Sequence, residues 1–162
     1  MTGAFVVLLD RLPILVSALW WGGISALSFL AVPTLFATLG SPTVAGSAAA
    51  KLFSLQCFVG LLLGLILLLL LWRERSQLGG TALSPKQLAL LRCAPGTMGL
   101  VILAMVLALL QEFGVAQRIV TARASGGDLR LWHTLGSLMV LGQWLCSGVL
   151  LWRLSAIDTA KR

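Results

Sequence analysis

The sequence predicts an all-α protein, an integral membrane bundle of four transmembrane helices, and three observations carry that prediction. Mean hydropathy is +1.00, with 59% hydrophobic and only 10% charged residues, against roughly half apolar and about a quarter charged in a soluble domain. Four apolar runs reach the roughly 20 residues that a helix rising about 1.5 Å per residue needs to cross a hydrocarbon core about 30 Å thick. Most of the charged residues fall between those runs rather than inside them. One domain, residues 1–162, accommodates all four, and no fixed-period repeat is visible.

The first span is expected from about Pro13 to Leu39, the second from Leu52 to Trp72, the third from Pro95 to Ala116 and the fourth from Leu131 to Trp152. Trp72, Trp132 and Trp152 lie near span ends, where amphipathic rings favour the headgroup level. Ser41-Pro42 and Ser84-Pro85 each place a capping serine before a proline at the first helical position, so the second and third helices are expected to begin well before they enter lipid. The second then starts with an alanine-rich turn, 43–50. The third starts with an amphipathic stretch, Lys86 to Arg92, and is expected to kink near Pro95-Gly96. Gly126-Gly127-Asp128 breaks the chain and caps the fourth helix. The amino end has no basic n-region or small-residue cleavage site, so the first helix is expected to be retained.

Charge fixes an orientation. Arg11, Arg73, Arg75, Lys86, Arg92, Arg153, Lys161 and Arg162 fall on one side, and only Lys51, Arg118, Arg123 and Arg130 on the other. Basic residues are retained on the cytoplasmic side, which puts both termini in the cytoplasm of a protein in the cell inner membrane. The net charge of +7 is therefore read as attraction to the bilayer. No nucleic-acid partner is expected, because the basic residues flank hydrophobic spans and do not share a soluble face with stacking aromatics. Cys57, Cys93 and Cys146 are far apart, without a CxxC or a neighbouring histidine, and read as small packing residues rather than a metal or disulfide set. No cofactor is expected.

Two kinds of residue stand out as candidates. Small residues at helical spacing let backbones approach closely where lipid supplies no hydrophobic drive: Ala18, Gly22 and Ser25 on the first helix, and Gly46, Ala50, Cys57, Gly60 and Gly64 on the second. Polar residues at membrane depth form the other group. On the fourth helix His133, Gly136, Ser137, Val140, Gln143, Trp144, Ser147 and Gly148 share one face, opposite Leu135, Leu138, Leu145 and Val149, and the polar face should point inward. The apolar run 98–110 is too short to span, which draws Gln111-Glu112 toward an interface; an ionisable group there is a functional hypothesis with a partner to be found. Lys51, Arg118 and His133 are expected at the same membrane side, with Ser137 a turn further along. With Glu112 they make a candidate ligand-binding pocket for an anion, a headgroup or a proton. With a single histidine and no Ser-His-Asp set or phosphate-cradling glycine loop, an enzyme is not expected.

The stretch WWGGISALSFLAVPTLFATLGSPTVAGSAAAKLFSLQCF, residues 20–58, resembles the transmembrane protein 205-like family, whose bacterial members are a domain of unknown function. The likeness rests on the glycine-bearing first helix, Pro33 before Leu35-Phe36, Leu39, and Gly46 followed by Lys51-Leu52-Phe53, and later on Arg118, Arg123, His133 and Ser137. It implies a four-helix membrane protein of unassigned activity, with export or trafficking the role suggested for a eukaryotic relative. The chain departs from that pattern at Ser54-Leu55-Gln56, where a proline and an aromatic pair are common. A looser likeness is to copper-resistance membrane proteins and haem-dependent oxidases, which share the tryptophan-glycine first helix but draw histidines from separate helices. Two functions are compatible with these features. One is binding or helping to move a small solute or lipid, as a homo-oligomer if it transports. The other is a non-catalytic assembly protein acting through its small-residue faces.

Overall fold

The computed structural model describes residues 2–78, 85–125 and 127–161, with side chains over 11–76, 95–122 and 127–156. Ser84 and Gly126, and the side chains of Lys86, Arg92, Cys93 and Arg123, lie outside the described residues. Four long helices follow one another. Helix α1 spans 2–38, α2 Pro42–Leu78, α3 85–125 and α4 Leu129–Lys161. Stretches long and apolar enough to cross a membrane are Arg11–Thr38, Pro42–Ser76, Pro95–Ala122 and Leu129–Ala156.

Local chemistry sets the ends. Gly40 takes a left-handed φ of 62°, a conformation glycine adopts without a Cβ penalty, and turns the chain after α1. Pro42 then opens α2, and the Ala45 N–H bonds the Ser41 carbonyl at 2.9 Å. The Gly127 N–H reaches back to the Ala122 carbonyl at 3.0 Å and closes α3. Asp128 caps α4 as expected, its carboxylate accepting from the Leu131 N–H at 3.1 Å. Pro95 lies inside α3, which runs on through it as helix.

The bundle is a square of antiparallel neighbours: α1 packs on α2, α2 on α3, α3 on α4, and α4 closes back on α1. Its outer surface is apolar, with Leu19, Leu62, Leu69, Ile102, Leu138 and Leu145 all about half exposed or more, while Ser17, Thr97, Gln143 and Ser147 are buried. Such an arrangement suits lipid outside and hydrogen bonding inside. The predicted α4 faces appear accordingly, Gln143 and Ser147 inward and Leu138, Leu145 and Val149 outward.

The core occupies the half of the bundle nearer the termini, where Val16, Trp20, Ile24, Leu63, Leu67, Leu71, Val101, Ala104, Cys146, Leu150 and Leu154 form one cluster. Two adjacent tryptophans key it. Trp20 lies against Gly60 of α2, where an added Cβ would sit 3.0 Å from the indole nitrogen, and Trp21 lies against Gly148 of α4, also at 3.0 Å. Gly64 admits Met105, at 2.7 Å from a Cβ position. At Gly22 an added Cβ would meet nothing within 4 Å. The expectation that Gly22 serves helix packing is therefore corrected: its missing side chain faces no neighbour, because the inward face of α1 is taken by Trp20 and Ile24.

A repeated plan, invisible as a sequence repeat, emerges here. Helix α1 contains two interior prolines, Pro13 and Pro33, and α3 one, Pro95; π-helix begins 14 residues after Pro13 and 15 after Pro95, over Leu27–Ala31 and Leu110–Ala116. Beyond those turns the outer segment of α1 (Val32–Thr38) packs on α2, and that of α3 (Gln117–Ser125) packs on α4. The four-way packing of the lower half thus gives way to two hairpins, α1–α2 and α3–α4, that diverge.

Candidate functional site

A cavity of about 990 Å³ fills the space between the diverging hairpins. Each helix supplies wall: Ser28, Phe29, Val32 and Phe36 from α1; Gly46, Ala49, Lys51, Phe53 and Ser54 from α2; Gln111, Glu112, Phe113, Gln117 and Val120 from α3; His133, Gly136, Ser137, Val140, Leu141 and Trp144 from α4. The π turns bring polar groups to it, Ser28 on α1 and Gln111-Glu112 on α3. A π turn fits one more residue into the helix than α geometry does, re-aims the side chains beyond it and often marks a functional site.

Two cross-links tie the hairpins together near the base of the cavity. The Ser54 hydroxyl of α2 donates to Glu112 Oε1 of α3 at 2.6 Å, a charge-assisted bond when the carboxylate is ionised. Trp144 Nε1 of α4 donates to Ser25 Oγ of α1 at 2.8 Å, and the Trp144 ring meets Trp21 at 5.7 Å and Phe29 edge-on at 6.1 Å. Below them lies a carboxamide layer. Gln143 Nε2 donates to Gln111 Oε1 at 2.7 Å, and with Gln56, Cys57 and Ile24 these residues enclose a void of about 10 Å³ that shares Phe53, Gln111 and Val140 with the cavity above. The Cys57 thiol bonds the Ala108 carbonyl at 3.4 Å.

A family model described as a domain of unknown function, DUF4149, matches residues 15–128. The chain belongs to the DUF4149 family. No curated protein and no solved structure matches it. The DUF4149 match takes in the three helices that carry Ser28, Lys51, Ser54, Gln111 and Glu112, and ends as α4 begins, before His133, Ser137 and Trp144.

In this DUF4149 chain the structure brings four of the five expected ligand-binding residues, Lys51, Glu112, His133 and Ser137, to one cavity wall. Arg118 is not among them. It is exposed, with its guanidinium 5.7 Å over the Trp132 ring, a cation–π contact outside the cavity; the segment after the π turn directs it away. Lys51 and His133 are exposed at the rim, whereas Glu112 is half-buried. The Ser137 hydroxyl donates to the His133 carbonyl at 2.9 Å. Among the small residues, Gly46 lines the cavity, while Gly60 and Gly64 are buried inside the chain against Trp20 and Met105. They are therefore not free to form a face for another protein.

Sequence reasoning missed Ser28, Ser54 and the Gln111–Gln143 pairing. Ser54 stands where the chain departs from the pattern of the family it resembles, a signal that could have flagged it. The signal near Ser28 is Pro33, which has no N–H to donate back to the turn that precedes it. Among the described residues, no group of three His, Cys, Asp or Glu side chains gathers as metal ligands would.

Proposed function

We propose that this protein lies in the inner membrane with both termini in the cytoplasm, and that it binds a small solute or lipid in the cavity of its non-cytoplasmic half and helps to move it. One observation carries the reading: a cavity of about 990 Å³, walled by apolar side chains, into which Lys51, Glu112, His133 and Ser137 converge. That volume is at the upper end of the roughly 300–1,000 Å³ of ordinary ligand sites, and a few polar groups in an apolar wall are what fix a ligand's orientation. The likeness to the transmembrane protein 205-like family supports a role in handling a small molecule. The oxidase likeness supports no haem, since His133 stands alone. No catalytic step is assigned.

The competing assembly role loses its motivating surface, because Gly60 and Gly64 are buried. Four helices are few for a transporter, so movement of a ligand goes with a homo-oligomer whose contacts use other surfaces. Native mass spectrometry of the protein extracted with its own lipids tests the proposal. A stoichiometric ligand should be retained by the wild type and lost from Glu112→Ala and His133→Ala, with ligand affinity changed more than stability in detergent. A wild-type protein that carries no ligand, or variants that carry the same ligand equally well, would overturn it.

A further inference from the structure

The cavity is open along its flanks, and its charges are sorted by depth. Beyond the π turns each outer segment packs on its own hairpin partner, so the cleft between hairpins faces the bilayer. On the flank between α1 and α4 the wall is apolar and exposed: Phe29 is 64% exposed, Phe36 51% and Leu141 47%. From Trp144 at the base to His133 at the rim is eleven residues, or about 16 Å of helix, half of a hydrocarbon core about 30 Å thick. The opening therefore lies within one leaflet.

Inside, Glu112 accepts the Ser54 hydroxyl, and among the described residues no cation stands within ion-pairing distance of it. The groups that face the same space are Lys51, one turn outward of Ser54 on α2, and His133 in the second turn of α4; Cys57, one turn inward, borders the small void below, its thiol committed to Ala108. Lys51 and His133 are exposed at the rim, where a long basic side chain extends its charge to water. A carboxylate set deeper in an apolar chamber is neutralised by a proton or by a cation that accompanies it, and a cationic head supplies the second. Ser28 supplies a second unmet demand. Ser17, Ser25, Ser137 and Ser147 each bond the carbonyl four residues back, but Ser28, in the π turn, has its hydroxyl buried in the cavity wall with no partner.

We propose that the occupant is a cationic amphiphile that enters sideways from the bilayer between α1 and α4, seats its positive head against Glu112, and lies along Phe29, Phe113 and Trp144. The aromatic faces favour the cation as well as its apolar body. This inference rests on the cavity being a binding site and adds the charge and the route of what it binds.

Equilibrium dialysis against the protein in nanodiscs, corrected with empty nanodiscs, tests it with three probes: tetraphenylphosphonium, the anion tetraphenylborate, which matches it in shape, and the smaller neutral triphenylphosphine oxide. The phosphonium should bind about tenfold or more tighter than the borate, the scale of one charge–charge contact. Glu112→Gln should abolish that preference, and Leu141→Trp, at an exposed position on the flank, should slow phosphonium entry as followed by stopped-flow tryptophan fluorescence. Equal binding of the three, insensitive to Glu112→Gln, overturns the cation and leaves the cavity as a binding site. Preference for the borate overturns it in favour of an anionic head on Lys51 and His133. Phosphonium entry at the same rate in Leu141→Trp overturns the route, and no binding of any probe overturns this inference and the binding site together.

Discussion

Trp20 and Gly60 should be energetically coupled, and the sign of a single methyl should depend on it. Trp20 is 0% exposed, and a Cβ at position 60 would lie 3.0 Å from its Nε1 and 3.5 Å from its Cε2. The indole has no room to retreat, since it is fully buried within the core cluster. Gly60→Ala alone should therefore cost about 1–3 kcal/mol by overpacking, offset by up to about 1 kcal/mol of helix propensity. In a Trp20→Leu background the ring is gone. The same methyl then fills space and should gain roughly 0.8 kcal/mol by burial, with the propensity gain unchanged. Propensity cancels in the double-mutant cycle, leaving a coupling of about 2–4 kcal/mol. Reversible unfolding of the four variants in mixed micelles, titrated with denaturing detergent, measures it. A cycle that closes to within about 0.5 kcal/mol, the additivity expected of independent sites, would refute the packing argument.

Three further outcomes are expected. Gln143→Leu should lower stability by about 1–3 kcal/mol by leaving the Gln111 carboxamide without its partner, and adding Gln111→Leu should recover much of it, as read by thermal unfolding in detergent. Asp128→Ala should cost about 0.5–2 kcal/mol and speed hydrogen exchange at the Leu131 amide; unchanged exchange would show the cap to be idle. Reporter fusions at either terminus should be active only in the cytoplasm, and one inserted at 126–128 only on the far side. The opposite pattern would reverse the orientation drawn from Arg73, Arg75 and Arg153 against Lys51, Arg118 and Arg130.

Hydropathy made the four helices legible, because a span needs a length of apolar chain whatever its neighbours do. The α4 face was legible too, since α4 is an unbroken α-helix and every third or fourth residue from His133 to Ser147 stays on one side. Depth along a span could also be counted, which put Lys51, Glu112 and His133 at one end. Direction around the helix axis could not be counted where a π turn intervenes. Arg118 was placed by depth and lies on the wrong side of α3; Ser28 was overlooked because Pro33 was read as a mark of family likeness and not as a break in the helix hydrogen bonding just beyond it. Gly22, Gly60 and Gly64 looked equivalent by spacing, and only the positions of Trp20 and Met105 distinguish an occupied notch from an empty one.

The two π turns divide α1 and α3 into stretches that answer to different neighbours. Before each turn the side chains are phased to the core, Trp20 and Ile24 on α1, Val101 and Ala104 on α3; after it they are phased to the hairpin partner and the cavity. Winding either turn as plain α-helix with its extra residue kept would rotate everything beyond it by about 100°, turning Val32 and Phe36, or Gln117 and Val120, off the wall while Trp20 and Val101 stay seated; deleting that one residue instead would leave the outer segment in phase. Each turn thus works as a one-residue clutch. Substitutions in the outer half can reshape what the cleft holds without being transmitted to the packing that keeps the bundle folded.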